Sequence, residues 1–182
     1  MKYRLGLCLL VAVIFILGAG NPAIANPLIE AASKGDSEKV QALLAKGADV
    51  TARNNRGDTA LTAAAYFGHI DIVHALLEKG ADINARGNRG NTALLLAAYR
   101  GRTDTIQALL VKGADINARN NWGKTALIAA AENGQTDIVK ALLAKGADVN
   151  TKDNKGLTAL MWAEEKGHKE VVRILKEAGA KE

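Results

Sequence analysis

Few side chains in this sequence could do chemistry. It holds three histidines, His69, His74 and His168, and one cysteine, Cys8. Two histidines on one helix face would bind zinc at a spacing of four, and His74 stands five residues after His69. His69 and His168 take the same place in units three repeats apart, so they cannot share an ion, and they read as ordinary surface histidines. Asp49, Asp82, Asp115 and Asp148 suggest a carboxylate ladder. Each lies in a Gly-Ala-Asp phrase, however, where a short carboxylate bonds nearby backbone N–H groups and shapes a loop. Catalysis needs a nucleophile, a base or a metal within hydrogen-bond reach in one concave site. Composition and spacing offer none, so the expectation is a protein that is not an enzyme and holds no cofactor or metal.

What must position these residues is a 33-residue period. Glycines recur at Gly57, Gly90, Gly123 and Gly156, and a following Thr-Ala-Leu recurs at Thr59, Thr92, Thr125 and Thr158. Gly80, Gly113 and Gly146 head the Gly-Ala-Asp phrase in the same register, with Gly47 before them and Gly179 after. A fixed period without insertions means stacked, equivalent units. In the copy at 54–86, Thr59 is the expected N-cap of a helix over Ala60 to Phe67, whose small Ala63-Ala64-Ala65 face admits a close neighbour. Gly68 ends that helix. A second helix follows with Ile72, Val73, Leu76 and Leu77 on one apolar stripe, Asp71 in its first turn and Gly80 after its end. The Asn- and Gly-rich stretch beyond is expected to form an extended hairpin turning at Asn88-Arg89-Gly90.

These residues closely resemble the ankyrin repeat family, whose phrases Gly-x-Thr-Pro-Leu-His, Gly-His, Val-Val-x-Leu-Leu and Gly-Ala-Asp-Val-Asn-Ala are matched from Leu28 onward. The resemblance implies an all-α repeat solenoid of stacked helix-turn-helix units joined by β-hairpin loops. One departure is systematic: the family's Pro-Leu-His becomes Ala60-Leu61-Thr62, Ala93-Leu94-Leu95, Ala126-Leu127-Ile128 and Ala159-Leu160-Met161. The family histidine usually bonds between repeats, so coupling here is expected to lean more on apolar packing.

Residues 1–25 are a different kind of sequence. Lys2 and Arg4 precede an uncharged apolar run from Leu5 to Leu17, and Ala23-Ile24-Ala25 forms a small-x-small site. This is the pattern of a secretory signal peptide cleaved before Asn26, implying export to the periplasm or beyond. The apolar run is shorter than the roughly 20 residues a spanning helix needs. Cys8 lies inside that run rather than after it, which disfavours a lipoprotein. Removing the leader takes the lone cysteine and two basic residues, lowering the net charge from +5 to +3. Such a mild balance, on an exported chain, does not point to nucleic acid.

The remainder, 26–182, reads as one repeat domain: an N-terminal cap at 26–53, full copies at 54–86, 87–119 and 120–152, and a C-terminal cap at 153–182. Both end copies carry extra charged residues, among them Glu30, Glu38, Glu164, Arg173 and Glu177, as solvent-facing ends require. Pro27 suits a first helical turn.

Functional expectation rests on positions that vary while the frame does not. Hairpin positions are filled by Arg56, Arg89, Trp122 and Lys155, and, past the glycine, by Asp58, Asn91, Lys124 and Leu157. The first helix ends in Tyr66-Phe67, Tyr99-Arg100, Glu132-Asn133 and Glu165-Lys166. The resemblance places these at the hairpin tips and concave groove, where the family's partners bind. Aromatics beside arginines are the composition of an interface hot spot. The expected partner-binding set is Arg56, Tyr66, Phe67, Arg89, Tyr99, Arg100, Trp122 and Lys124. Trp162 is expected in the core. The row Arg53, Arg86, Arg119 and Lys152 suits either the interface or bonds to hairpin carbonyls. The expectation is a monomer binding another protein with an acidic or polar patch around an apolar centre, with no nucleic acid and no membrane after cleavage. Alternatives are a stabiliser or inhibitor of one exported enzyme, and an enzyme with an unrecognised site.

Overall fold

A computed structural model describes residues 26–181; the expected leader at 1–25 lies outside the described residues. Ten helices fill the described residues in five pairs: α1 (Pro27–Lys34) and α2 (Ser37–Ala45), α3 (Ala60–Phe67) and α4 (Ile70–Glu78), α5 (Ala93–Tyr99) and α6 (Thr103–Val111), α7 (Ala126–Glu132) and α8 (Thr136–Ala144), α9 (Ala159–Glu165) and α10 (Lys169–Glu177). The odd helices pack side by side in one row and the even helices in a second, so each pair touches only its neighbours.

Local chemistry explains each element. The hydroxyls of Thr59, Thr92, Thr125 and Thr158 accept the N–H groups of Thr62, Leu95, Ile128 and Met161 at 3.2–3.3 Å, capping α3, α5, α7 and α9. All four threonines are buried, so each cap also satisfies donors that water cannot reach. Asn26 caps α1 through Oδ1, and Pro27 fills its first turn. Gly68 and Gly80 take φ of 83° after α3 and α4, a left-handed conformation that admits glycine at little cost.

The core runs the length of the stack. Alanine pairs such as Ala64-Ala65, Ala97-Ala98 and Ala130-Ala131 are fully buried and let successive inner helices approach closely. Ile72, Val73 and Leu76 are buried as the stripe predicts, with Leu77 half-buried. Glu164 replaces the last of these alanines in the final copy, where it is exposed and pairs with Lys176 at 2.9 Å.

The hairpins are tight turns, and no regular strand forms among the described residues. Single pairs close them, as in Asn54 N to Asp58 O at 3.0 Å and Asn120 N to Lys124 O at 3.0 Å. Side chains and the neighbouring turns take up further backbone groups there, such as Arg56 N and Asp58 N on Asn54 Oδ1 and Asn121 N on Arg89 O. Asn120 Oδ1 accepts from Trp122 N and Lys124 N, and Asp153 Oδ1 does the same for Lys155 N and Leu157 N.

Coupling between copies is more polar than the missing histidines imply. Leu95 and Ile128 are buried where the family carries histidine, as expected of apolar packing. In addition, Asn84, Asn117 and Asn150 each accept a backbone N–H 31 residues later, from Asp115, Asp148 and Lys181, at 2.8–2.9 Å. Neighbouring turns are joined by Asn121 N to Arg89 O and Asn154 N to Trp122 O. The reading of His69 and His168 as ordinary surface residues is corrected. Both are half-buried, His168 Nε2 lies 3.1 Å from Glu132 O, and His69 Nε2 lies 3.4 Å from Ser33 O, so each ties its repeat to the one before.

Candidate functional site

Among the described residues, no three His, Cys, Asp or Glu side chains gather as a metal site would require. The aspartates of the Gly-Ala-Asp phrases do what their position suggests: Asp49, Asp82, Asp115 and Asp148 each accept the backbone N–H two residues on, at 2.8–3.0 Å. The arginines of the basic row bond the frame, Arg86 reaching Asn121 Oδ1 at 3.4 Å. Arg53 donates to Gly57 O and Arg86 O, and Arg119 donates to Gly123 O and Lys152 O.

The hairpin tips and the inner helices line one groove of about 1520 Å³, from Asn26 and Ile29 in the first copy to Lys155 and Trp162 in the last. Seven of the eight expected binding residues line it: Arg56, Tyr66, Phe67, Arg89, Tyr99, Trp122 and Lys124. The eighth, Arg100, lies outside that lining but holds its guanidinium 4.8 Å from the centre of the Tyr66 ring.

The side chains fall into three clusters. At α3, Tyr66 meets Phe67 edge-on at 5.0 Å, and Phe67 stacks on His69. At the hairpin tips, Arg89 lies over Trp122, 5.1 Å from its ring centre. Toward the last copy, Lys124 sits 3.8 Å above Trp162 and pairs with Glu132 at 2.5 Å. Cations over aromatic faces hold the rings in place and keep positive charge at the surface. Phe67, Tyr99 and Trp122 are each more than 40% exposed, and they are three of the four large apolar side chains exposed among the described residues. The fourth, Val111, does not line the groove.

Sequence reasoning missed two features. Trp162 is buried as expected, yet it also lines the groove, with its indole N–H donating to Asp153 Oδ2 at 2.9 Å. Burial pushes the Asp153 carboxyl up. The N–H of Leu157, the Trp162 indole, the N–H of Lys155 and the Lys124 ammonium outweigh this and hold it below the ordinary aspartate range. The second is the turn of the 87–119 copy, where Gly87 replaces the Asn54, Asn120 or Asp153 of the other copies. Without that side chain Asn91 N donates to Asn88 O, where Asp58 N, Lys124 N and Leu157 N meet the Asn or Asp side chain, and Asn88 N donates to Asp58 Oδ1. Arg89 then takes φ of 59°, the single non-glycine residue with positive φ among the described residues. A signal existed in the sequence, because Gly87 breaks the periodic Asn/Asp.

The groove's lining balances formally, with Arg56, Arg89, Lys124 and Lys155 against Glu30, Asp58, Glu132 and Asp153, but its partners are shared unevenly. Glu30 is bound by Lys34, Glu132 by Lys124, and Asp58 and Asp153 by N–H donors. Arg56, Arg89, Arg100 and Lys155 have no carboxylate within ion-pair distance among the described residues. The face is thus apolar at its centre, with cations free of ion pairs at the hairpin tips beside it.

Comparison with known proteins matches the family model described as ankyrin repeats (3 copies) over residues 12–87, 28–120 and 94–182. Two ankyrin repeat proteins of Rickettsia felis are each 53% identical over 38 residues, which is 21% of this chain. That segment covers 60% of one relative and 58% of the other, so the match spans about three fifths of their length.

Proposed function

The chain belongs to the ankyrin repeat family, and from that premise we propose that it is a non-catalytic, monomeric module that binds a partner protein in the groove after export. Ankyrin repeats are in general protein–protein interaction modules rather than enzymes. The observation that carries the reading is the clustering of exposed aromatics Phe67, Tyr99 and Trp122 with cations in one groove. Large aromatics and arginines dominate binding energy where they are desolvated by a partner. Export rests on the leader pattern of 1–25. Cleavage before Asn26 would leave α1 intact, because its cap is the Asn26 side chain itself. Among the described residues no helix is long and apolar enough to cross a membrane.

The test is a comparison of variants. The tagged exported protein, its Trp122→Ala and Tyr99→Ala variants and a Lys140→Ala control on outer helix α8 are used to retrieve partners from the exported fraction. The expected result is a species held by the native chain and the control and lost with either aromatic truncation. Loss with Lys140→Ala and retention with Trp122→Ala would move the binding face to the outer helices. Mass measurement of the exported protein is expected to show Asn26 as its first residue.

A further inference from the structure

We propose that the groove takes an extended, acidic segment of its partner, one side chain per repeat; this rests on the groove being the binding face. Arg56, Arg89, Trp122 and Lys155 stand 33 residues apart at equivalent hairpin positions, and all four line the groove. Packed helices lie about 8–10 Å apart. A chain extended as polyproline II advances about 3.1 Å per residue with three residues per turn, so every third side chain points the same way and meets the next repeat. A helical partner rises 1.5 Å per residue and would need roughly seven residues for the same step.

Charge sets the rest of the pattern. The row reads cation, cation, aromatic, cation, and its three cations are unpaired while the groove's own carboxylates are bound internally. The complement is an acid at i, i+3 and i+9 with an apolar side chain at i+6. Arg89 rests on Trp122, is exposed and makes no side-chain hydrogen bond among the described residues, so its guanidinium is free to grip a carboxylate with two bonds. Two neighbouring amides favour an extended occupant over a helical one. The side chains of Asn55 and Asn88 line the groove and make no hydrogen bond among the described residues. An extended main chain has N–H and C=O groups to offer them, whereas a helix satisfies its own.

Both tryptophans of the chain, Trp122 and Trp162, line the groove, so their emission reports occupancy directly. The purified protein is titrated with three synthetic peptides of one composition: the register-matched peptide, a version with its acids adjacent, and a helix-stabilised version with acids every seventh residue. The register-matched peptide is expected to change the emission and bind at least about tenfold tighter than the other two. Arg89→Gln, with its circular dichroism unchanged, is expected to remove about tenfold of that affinity, and added salt to weaken what remains. Equal binding of the adjacent-acid peptide with the same emission change would overturn the register but leave the groove as the binding face. Tighter binding of the helical peptide would overturn the extended form. Binding that leaves emission unchanged and survives Trp122→Ala would overturn the groove itself. No binding of the register-matched peptide at about 1 mM would overturn the proposal.

Discussion

Replacing Asp153 with asparagine separates two tasks that one side chain performs. Its Oδ1 shapes the turn by accepting Lys155 N at 2.8 Å and Leu157 N at 3.0 Å. Asparagine does the same at Asn54 and Asn120, so this half survives the exchange. The other half does not. Oδ2 accepts the Trp162 indole N–H at 2.9 Å, and an amide placed there presents either a second donor or nothing. Both groups are buried, and losing a hydrogen bond to a charged partner at such a site costs about 1.5–3 kcal/mol. At about 2–4 °C per kcal/mol for a chain of this size, Asp153→Asn should melt roughly 3–12 °C lower at pH 7. The pH dependence follows from sign. The folded carboxyl titrates below the ordinary aspartate value of 3.8, so its contribution is complete above that value and fades as pH falls through the folded one. Thermal melts followed by tryptophan emission and circular dichroism, at pH 7 and at about pH 3, should therefore show the gap between native and variant shrinking in acid. Equal stability at pH 7 would refute the role of the indole bond. A gap of the same size at both pH values would refute the role of the charge.

Other substitutions probe the stack and the site. Leu109 is fully buried in α6, so Leu109→Ala should cost about 2–5 kcal/mol in urea unfolding and, by uncoupling the halves of the stack, can make the transition depart from two-state. Thr51 stands where the later copies carry Asn84, Asn117 and Asn150, and a gap of about 140 Å³ lies at that joint beside Asp82. Thr51→Asn should supply the absent bond to Asp82 N, worth about 0.5–1.5 kcal/mol against the loss of the exposed Thr51 Oγ1 bond to Asp49 Oδ1, and should slow hydrogen exchange at that amide. Arg89→Gly should relieve about 1–2 kcal/mol of left-handed strain while removing the cation over Trp122, so the fold becomes more stable as partner binding weakens. A variant less stable than the native chain would contradict the strain.

Much of the fold was legible because the signals are local and recur. A threonine three residues before a buried N–H, a glycine after each helix and an apolar stripe of fixed period act within one unit, and stacking repeats them in register. Helix α3 spans Ala60–Phe67 as the cap and the glycine indicate. Candidate binding residues were legible for the same reason, since positions that vary against a constant frame stand out by alignment of the copies. The sequence alone therefore determined the unit and its period. Only the tertiary structure decided what each charge touches. Arg53 and Arg119 spend their guanidinium groups on carbonyls in the adjoining turn, and His168 reaches Glu132 O in the preceding repeat. Lys124 finds Glu132, Trp162 finds Asp153, and Arg56, Arg89 and Lys155 are left unpaired. Those pairings join residues up to 36 positions apart, and a difference of a few ångströms decides whether a charge is bound or free. Gly87 shows the division within one residue: its break from the periodic Asn/Asp is plain in the sequence. That Arg89 there takes φ of 59° and lies over Trp122, and that Asn88 N meets Asp58 of the neighbouring repeat, is decided only once the copies are stacked.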